Sequence, residues 1–134
     1  QLVFLKSLIG NNNRLVLSIV EKSKEKHIGV LGLNNINWVH RYADGSIIIG
    51  EESYRKMPYS VEATYLMHRI AFSRLNLLNL LSAYASLNKG SEVLQKLFKY
   101  KKIGVYKNLL LIDGHPDDLI VGALSREYWL DEIQ

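Results

Sequence analysis

The chain has 134 residues, 48% of them hydrophobic, with 17 basic and 13 acidic residues for a formal net charge of +4; this suits one globular domain, residues 1–134, with its own core. Cysteine is absent, which excludes disulfides, thiol catalysis and zinc–thiolate centres. No apolar run reaches the ~18 residues of a membrane-spanning helix and no basic-then-apolar leader opens the sequence, so a cytoplasmic protein without membrane partners is expected.

Val3, Phe4, Leu5, Leu8 and Ile9 read as the end of a helix, stopped by Gly10 and the Asn11-Asn12-Asn13 run. No capping residue precedes it, so further sequence upstream is expected. Arg14 to Glu21 is strand-like, Lys22 to Lys26 is a charged hairpin turn, and His27 to Ile36 is a second strand. Asn37-Trp38-Val39-His40 connects to a third strand from about Arg41, clearest over Ala43 to Gly50. Links this short cannot hold crossover helices, so an antiparallel meander is expected. Glu51 to Ser60 is polar and turn-like. Ala63, Leu66, Met67, Ile70 and Ala71 then fall on one helical face.

Leu75-Asn76-Leu77 closes that helix into a strand over roughly Leu80 to Leu87, and strand–helix–strand predicts a parallel pair. A second helix runs from about Gly90 to Lys99. The last two strands, Gly104 to Ile112 and Leu119 to Glu127, are joined by a hairpin around Asp113-Gly114 that takes in His115-Pro116-Asp117-Asp118 as turn residues. The order is βββαβαββ after an N-terminal helix end. The fold class is α/β (α+β), a mixed, mostly antiparallel twisted sheet with helices packed on it.

A strand that delivers a basic loop to a helix N-terminus makes an anion site, because free N–H groups and the helix dipole both favour negative charge. Arg55 and Lys56 supply the cations here, while Pro58 lacks an N–H. Asp44, beside Gly45 in an apolar strand, reads either as a general base or as a solvent-facing strand residue. The four histidines, His27, His40, His68 and His115, show no metal-ligand spacing, so no metal is expected. Lys96, Lys99, Lys101 and Lys102 cluster at one helix end with little aromatic interleaving. A solvated face accounts for them, and nucleic acid is not expected as a partner.

The run Ala43-Asp44-Gly45-Ser46-Ile47-Ile48-Ile49-Gly50, then Glu51-x-x-Tyr54-Arg55, then Tyr59-x-x-Glu62-Ala63, resembles the centre of a GCN5-related N-acetyltransferase (GNAT) domain. Ile28 to Leu33, Leu75-Asn76-Leu77, Asn88 and the terminal Leu124-Ser125-Arg126-Glu127 are similar to that family too, and Ile36 to Arg41 resembles its polyamine, ribosomal-protein and amino-sugar branches. The resemblance implies acetyl-CoA as substrate, its pyrophosphate wrapped by the loop Arg55, Lys56, Met57, Pro58, Tyr59 and Ser60 after Ile49, with Pro58 and Ser60 where the family carries glycines. It implies a catalytic role for Asp44, where related branches often carry a glutamate that helps deprotonate the amine. Asn88 would contact the pantetheine arm or cap a helix, and Gln95 stands where the family's tyrosine protonates the leaving thiolate. A glutamine amide cannot supply that proton.

Two readings follow from the resemblance. One is an acetyl-CoA-dependent N-acyltransferase acting on a small-molecule or peptide amine by direct attack. The other is a degenerate member that binds acyl-CoA or a protein partner without transferring acetyl. The family's first strand and helix have no counterpart in this sequence, which predicts an exposed sheet edge and a homodimer.

Overall fold

The computed structural model describes residue 10 and residues 12–55 and 58–134, which fall into two compact units, 1–78 and 79–134. The helix end expected at Val3 to Ile9 lies outside the described residues. No helix among the described residues is long and apolar enough to cross a membrane.

In the first unit, β1 (Leu15–Glu21), β2 (Lys26–Asn37) and β3 (Tyr42–Ile49) form the expected antiparallel meander. The β1–β2 turn is closed by the Glu21 carboxylate, which accepts from the Ser23 N–H and hydroxyl and from the Lys24 N–H. Alternation along β2 and β3 sends Leu31, Leu33 and Ala43 into the core. Register sets Gly32 opposite Ser46 and Asn34 opposite Asp44 on the other face. Gly29 is obligatory, since a Cβ there would overlap the Ile48 carbonyl. Register slips between Asn34 and Asn37, and Asn35 turns to φ +50° within that bulge.

One turn of 3₁₀ helix (Glu52–Tyr54) leads to α1 (Tyr59–Arg69), which buries Ala63, Thr64, Met67 and His68. The chain continues through Ile70–Arg74 as a wider turn, with the Leu75 N–H reaching the Ile70 carbonyl at 2.9 Å, and buries Ala71 and Phe72. Arg41 holds the exit, donating from Nε and Nη2 to the Asn76 carbonyl at 2.9 and 2.7 Å.

In the second unit, β4 (Asn79–Ala85), β5 (Lys101–Ile112) and β6 (His115–Ser125) stand in the order β4-β6-β5, every pair antiparallel. α2 (Lys89–Leu97) follows β4 and is capped by Asn88, whose Oδ1 accepts from the Ser91 N–H at 3.1 Å. The element order βββαβαββ is as expected; β5 begins at Lys101 rather than Gly104 and β4 ends at Ala85 rather than Leu87, and two larger differences lie further on.

The β5–β6 hairpin is tighter than the sequence reading. Asp113 and Gly114, at φ +50° and +78°, make a two-residue turn, the form that matches strand twist. His115, Pro116, Asp117 and Asp118 therefore belong to β6 rather than to the turn. Pro116 is tolerated because β6 pairs there with β5 alone, the β4 ladder ending at Ala85 opposite Leu119. Asp117 accepts from the Ser86 hydroxyl and from the Leu87 N–H, and Asp118 from Lys107 and the Asn108 N–H. Both carboxyls are held below their usual range, chiefly by the Ser86 hydroxyl and by Lys107 respectively. The second difference lies at the end of the chain. The final strand stops at Ser125, whose hydroxyl caps the Tyr128 N–H at 3.1 Å and opens α3 (Arg126–Tyr128). A further wide turn, Trp129–Ile133, brings Trp129 to complete burial.

His68 is fully buried on α1, and desolvation pushes its imidazole down from 6.5 to about 4. The unfolded chain takes up a proton between those values and the folded chain does not. Stability present above the unfolded value is thus lost as pH falls toward the folded one, by about 2 kcal/mol between pH 7.5 and 5. Denaturant midpoints at those two pH values should differ accordingly in the native chain, and His68→Phe should remove that part of the difference.

Candidate active site

The site predicted from sequence begins where β3 ends. Tyr54 is buried, its ring edge-on to Tyr59 at 4.9 Å and 68°. The Lys26 ammonium lies 5.8 Å from the Tyr54 ring centre and 3.4 Å from the Glu51 carboxylate. Arg55 turns back on the strand. Its Nε donates to the Ile49 carbonyl at 2.8 Å and its Nη2 to the Gly50 carbonyl at 3.0 Å. Two of the five guanidinium donors are therefore committed to bracing the turn. The charge itself stays at the loop, and Arg55 is exposed. Of the two residues that follow, Lys56 and Met57, nothing is described.

Pro58 stands at the N-cap of α1 at φ −92° and ψ −5°, with no side-chain cap. Its carbonyl accepts from the Glu62 N–H at 2.9 Å. The Ser60 carbonyl takes the Thr64 hydroxyl at 2.7 Å. No described residue accepts from the N–H groups of Tyr59, Ser60 or Val61, the donors a helix start leaves open. An uncapped helix start beside a braced guanidinium is chemically suited to a phosphate.

Asp44 lies on the polar face of β3. Its Oδ2 accepts from Asn35 Nδ2 at 3.1 Å, while the neighbouring Asn34 donates from Nδ2 to the Ser46 hydroxyl at 3.2 Å. A polar cleft of about 440 Å³ opens beside them, lined by Asn13, Arg14, Asn34 and Asn35. Sequence reasoning passed over these asparagines. The signal was two consecutive amides inside a strand otherwise rich in valine, leucine and isoleucine. No hydrogen bond joins Asp44 to Arg55, Tyr59 or Ser60 among the described residues.

In the second unit, Asn88 is a helix cap and its Oδ1 is used as one. Gln95 is anchored rather than free: its Nε2 donates to the Ser82 carbonyl at 3.0 Å, and its side chain lies over Gly122, where a Cβ would overlap Oε1. Ser82 and Gly122 are partners in the β4–β6 ladder, so Gln95 clamps α2 onto that ladder. Of the tyrosines near it in sequence, Tyr84 faces Ile120 across the β4–β6 ladder. Burial pushes the Tyr100 phenol up, and Tyr106 is exposed on β5. Among the described residues, no three His, Asp or Glu side chains converge as metal ligands.

Comparison with known proteins places these features in a frame. The sequence profile of the acetyltransferase (GNAT) domain matches residues 4–97. Solved structures of spermidine/spermine N-acetyltransferase SpeG from Vibrio cholerae share the fold. A manganese-bound form superposes with TM-score 0.89 at 19% identity, over 98% of this chain and 76% of that one. A dodecameric form in an intermediate state gives the same TM-score, identity and coverage. A chimera of the V. cholerae protein with hSSAT gives TM-score 0.87 at 20% identity, over 98% of this chain and 80% of that one. No curated protein sequence matches.

The clamp at Gln95 makes a sharp prediction. Gly122→Ala should destabilise the chain by about 1–3 kcal/mol through overpacking. Gln95→Ala in the same chain should recover a large part of that loss, a coupling of about 0.5 kcal/mol or more in a denaturant double-mutant cycle.

Proposed function

The chain belongs to the GNAT acetyltransferase family, and on that premise we propose that it moves an acetyl group from acetyl-CoA to a primary amine by direct attack on the thioester. The observation that carries this reading is the start of α1, where no described residue accepts from the N–H groups of Tyr59, Ser60 and Val61, on the loop that the braced Arg55 leads into. Arg55, Lys56, Met57, Tyr59 and Ser60 would hold the pyrophosphate, with Ile49 at the end of the strand leading to them. Asn88 would meet the pantetheine arm with its amide N–H₂, its oxygen being taken by the cap. The whole chain acts in this reading as one cytoplasmic domain that uses no metal.

The reaction needs a neutral amine whose lone pair forms the new C–N bond as the C–S bond breaks. Asp44, oriented by Asn35, is the base we assign for the ammonium proton, directly or through one water. Gln95 supplies no proton to the departing thiolate, and its amide is already bonded to Ser82. The sulfur must therefore leave as thiolate or take its proton from the attacking nitrogen. Loss of a general acid costs about 10²–10⁴ in rate, so a slow transferase is expected.

The acceptor is a small-molecule or peptide amine. The V. cholerae structures are those of a spermidine/spermine acetyltransferase, which makes linear polyamines the first amines to screen. Self-association belongs to the same reading: a homodimer is proposed here, against the dodecamer named for the V. cholerae protein. The second reading, a domain that binds acyl-CoA or a protein partner without transfer, is favoured by the commitment of Gln95 to the Ser82 carbonyl and by Pro58, which removes one phosphate donor.

Calorimetric titration with acetyl-CoA separates the outcomes. Micromolar binding is expected, weakened about 10- to 150-fold by Arg55→Ala if one charge-assisted contact is lost. Absence of heat or thermal shift at millimolar acetyl-CoA would overturn the transferase reading.

A further inference from the structure

The polar cleft beside Asp44 has a composition that bears on the amine it would accept. Its described lining is Asn13, Arg14, Asn34 and Asn35, one cation and three amides with no carboxylate. Leu15 pairs with Leu33, and Asn34 with Asp44. One residue further along the β1–β2 ladder, Arg14 comes beside Asn34. Strand alternation then puts Arg14, Asn34 and Asp44 in one row on the face opposite Leu33. Two strand spacings, about 10 Å, separate the backbones at the ends of that row.

The middle of the row lacks a donor. Asn34 donates from Nδ2 to Ser46 Oγ at 3.2 Å, while its Oδ1 is buried and accepts from no described residue. A Cβ at Gly32 would stand 3.1 Å from Ser46 Oγ, so the glycine leaves room for that hydrogen bond. Asn35, turned out at φ +50°, holds Asp44 from the other side. Buried acceptors are normally satisfied, and an N–H group entering the cleft is the donor that Asn34 Oδ1 is missing.

Charge decides which amines suit this row. A chain of several ammonium groups needs several acidic partners, and the row offers Asp44 alone. The other acids of the unit lie toward the far end of the strands. Glu21 and Glu25 belong to the β1–β2 turn, Glu51 and Glu52 follow β3, and Glu62 lines a separate cleft with Glu21 and Lys22. No Asp or Glu precedes Glu21 in the sequence, so residues 1–13 add none. Arg14 instead offers a guanidinium, whose planar fork matches a carboxylate.

We propose that this cleft takes an amine that also carries a carboxylate, an amino acid or a dipeptide, with the carboxylate on Arg14 and the amine toward Asp44. The inference rests on the transferase reading above, with Asp44 as base; the products are the N-acetylated amino acid or dipeptide, free CoA and one proton. A linear polyamine would set an ammonium against Arg14 and should bind weakly.

The side-chain amide signals of Asn34 and Asn35, followed by nuclear magnetic resonance, read occupancy of the cleft without turnover. Glycine and glycylglycine, added separately, show which length the row takes, and saturable shifts with either are expected. Glycylglycine amide, which lacks only the carboxylate, should bind about tenfold or more weakly than glycylglycine, and spermidine more weakly still. Arg14 is exposed, so Arg14→Gln should keep the fold by circular dichroism and abolish the preference for the carboxylate. Arg14→Glu should reverse it in favour of spermidine. No shift with glycine or glycylglycine, equal binding of glycylglycine and its amide, tighter binding of spermidine to the native chain, or a preference indifferent to both substitutions would overturn the proposal. The shifts are measured without acetyl-CoA. Their failure therefore leaves the transferase reading standing, and a chain that binds no acetyl-CoA still shows whether the cleft prefers a carboxylate.

Discussion

The turn after β3 depends on one side chain reaching backwards. Arg55 gives two N–H groups to the carbonyls of Ile49 and Gly50, at the end of β3. With those carbonyls satisfied, the chain can leave the strand, pass Tyr54 into the core and enter α1 through Pro58. No capping side chain closes the helix start. The brace thus keeps a positive charge on the loop that leads to α1, whose first N–H groups no described residue claims, and one residue serves both the fold and the proposed ligand.

A different economy governs the second unit. Gln95 fills the space over Gly122 and satisfies the Ser82 carbonyl, so the position implied for an acid holds α2 to its strands. The same side chain cannot do both tasks. Asn88 repeats the pattern more mildly, one half of its amide capping a helix and the other half left for a ligand. Asp117 and Asp118, which read as turn residues, use their carboxylates to bind the loop before α2 and the middle of β5. Polar side chains in this unit mostly secure backbone, and the chemistry proposed here rests on the first unit.

Much of the architecture was legible in the residues. Runs of valine, leucine and isoleucine between short polar breaks marked β1 to β3, and the spacing from Ala63 to Ala71 marked α1. The failures came where one residue type has two uses. Pro116, Asp117 and Asp118 carry turn chemistry, yet Asp113-Gly114 alone makes the turn and the others continue the strand. Ser125 was a helix cap with Glu127 in the first turn, but the apolar run before it carried the strand reading past the boundary. Arg55, Asp44 and Asn88 stood out as candidates, and the structure puts them at the turn after β3, on the polar face of β3 and at the cap of α2. Spacing does not reveal that Arg55 folds back on Ile49, that Asn35 bulges out to meet Asp44, or that Gln95 is clamped. Each of these is a tertiary hydrogen bond set by a turn, a bulge or a glycine elsewhere in the chain.

The most direct measurement follows the backbone amides of Tyr59, Ser60 and Val61 by nuclear magnetic resonance as acetyl-CoA is added. If the open start of α1 receives the pyrophosphate, these three amides should show the largest shifts in the spectrum, saturating together with the heat of binding. Binding with its largest shifts elsewhere, and these amides unmoved, would contradict the assignment of the site.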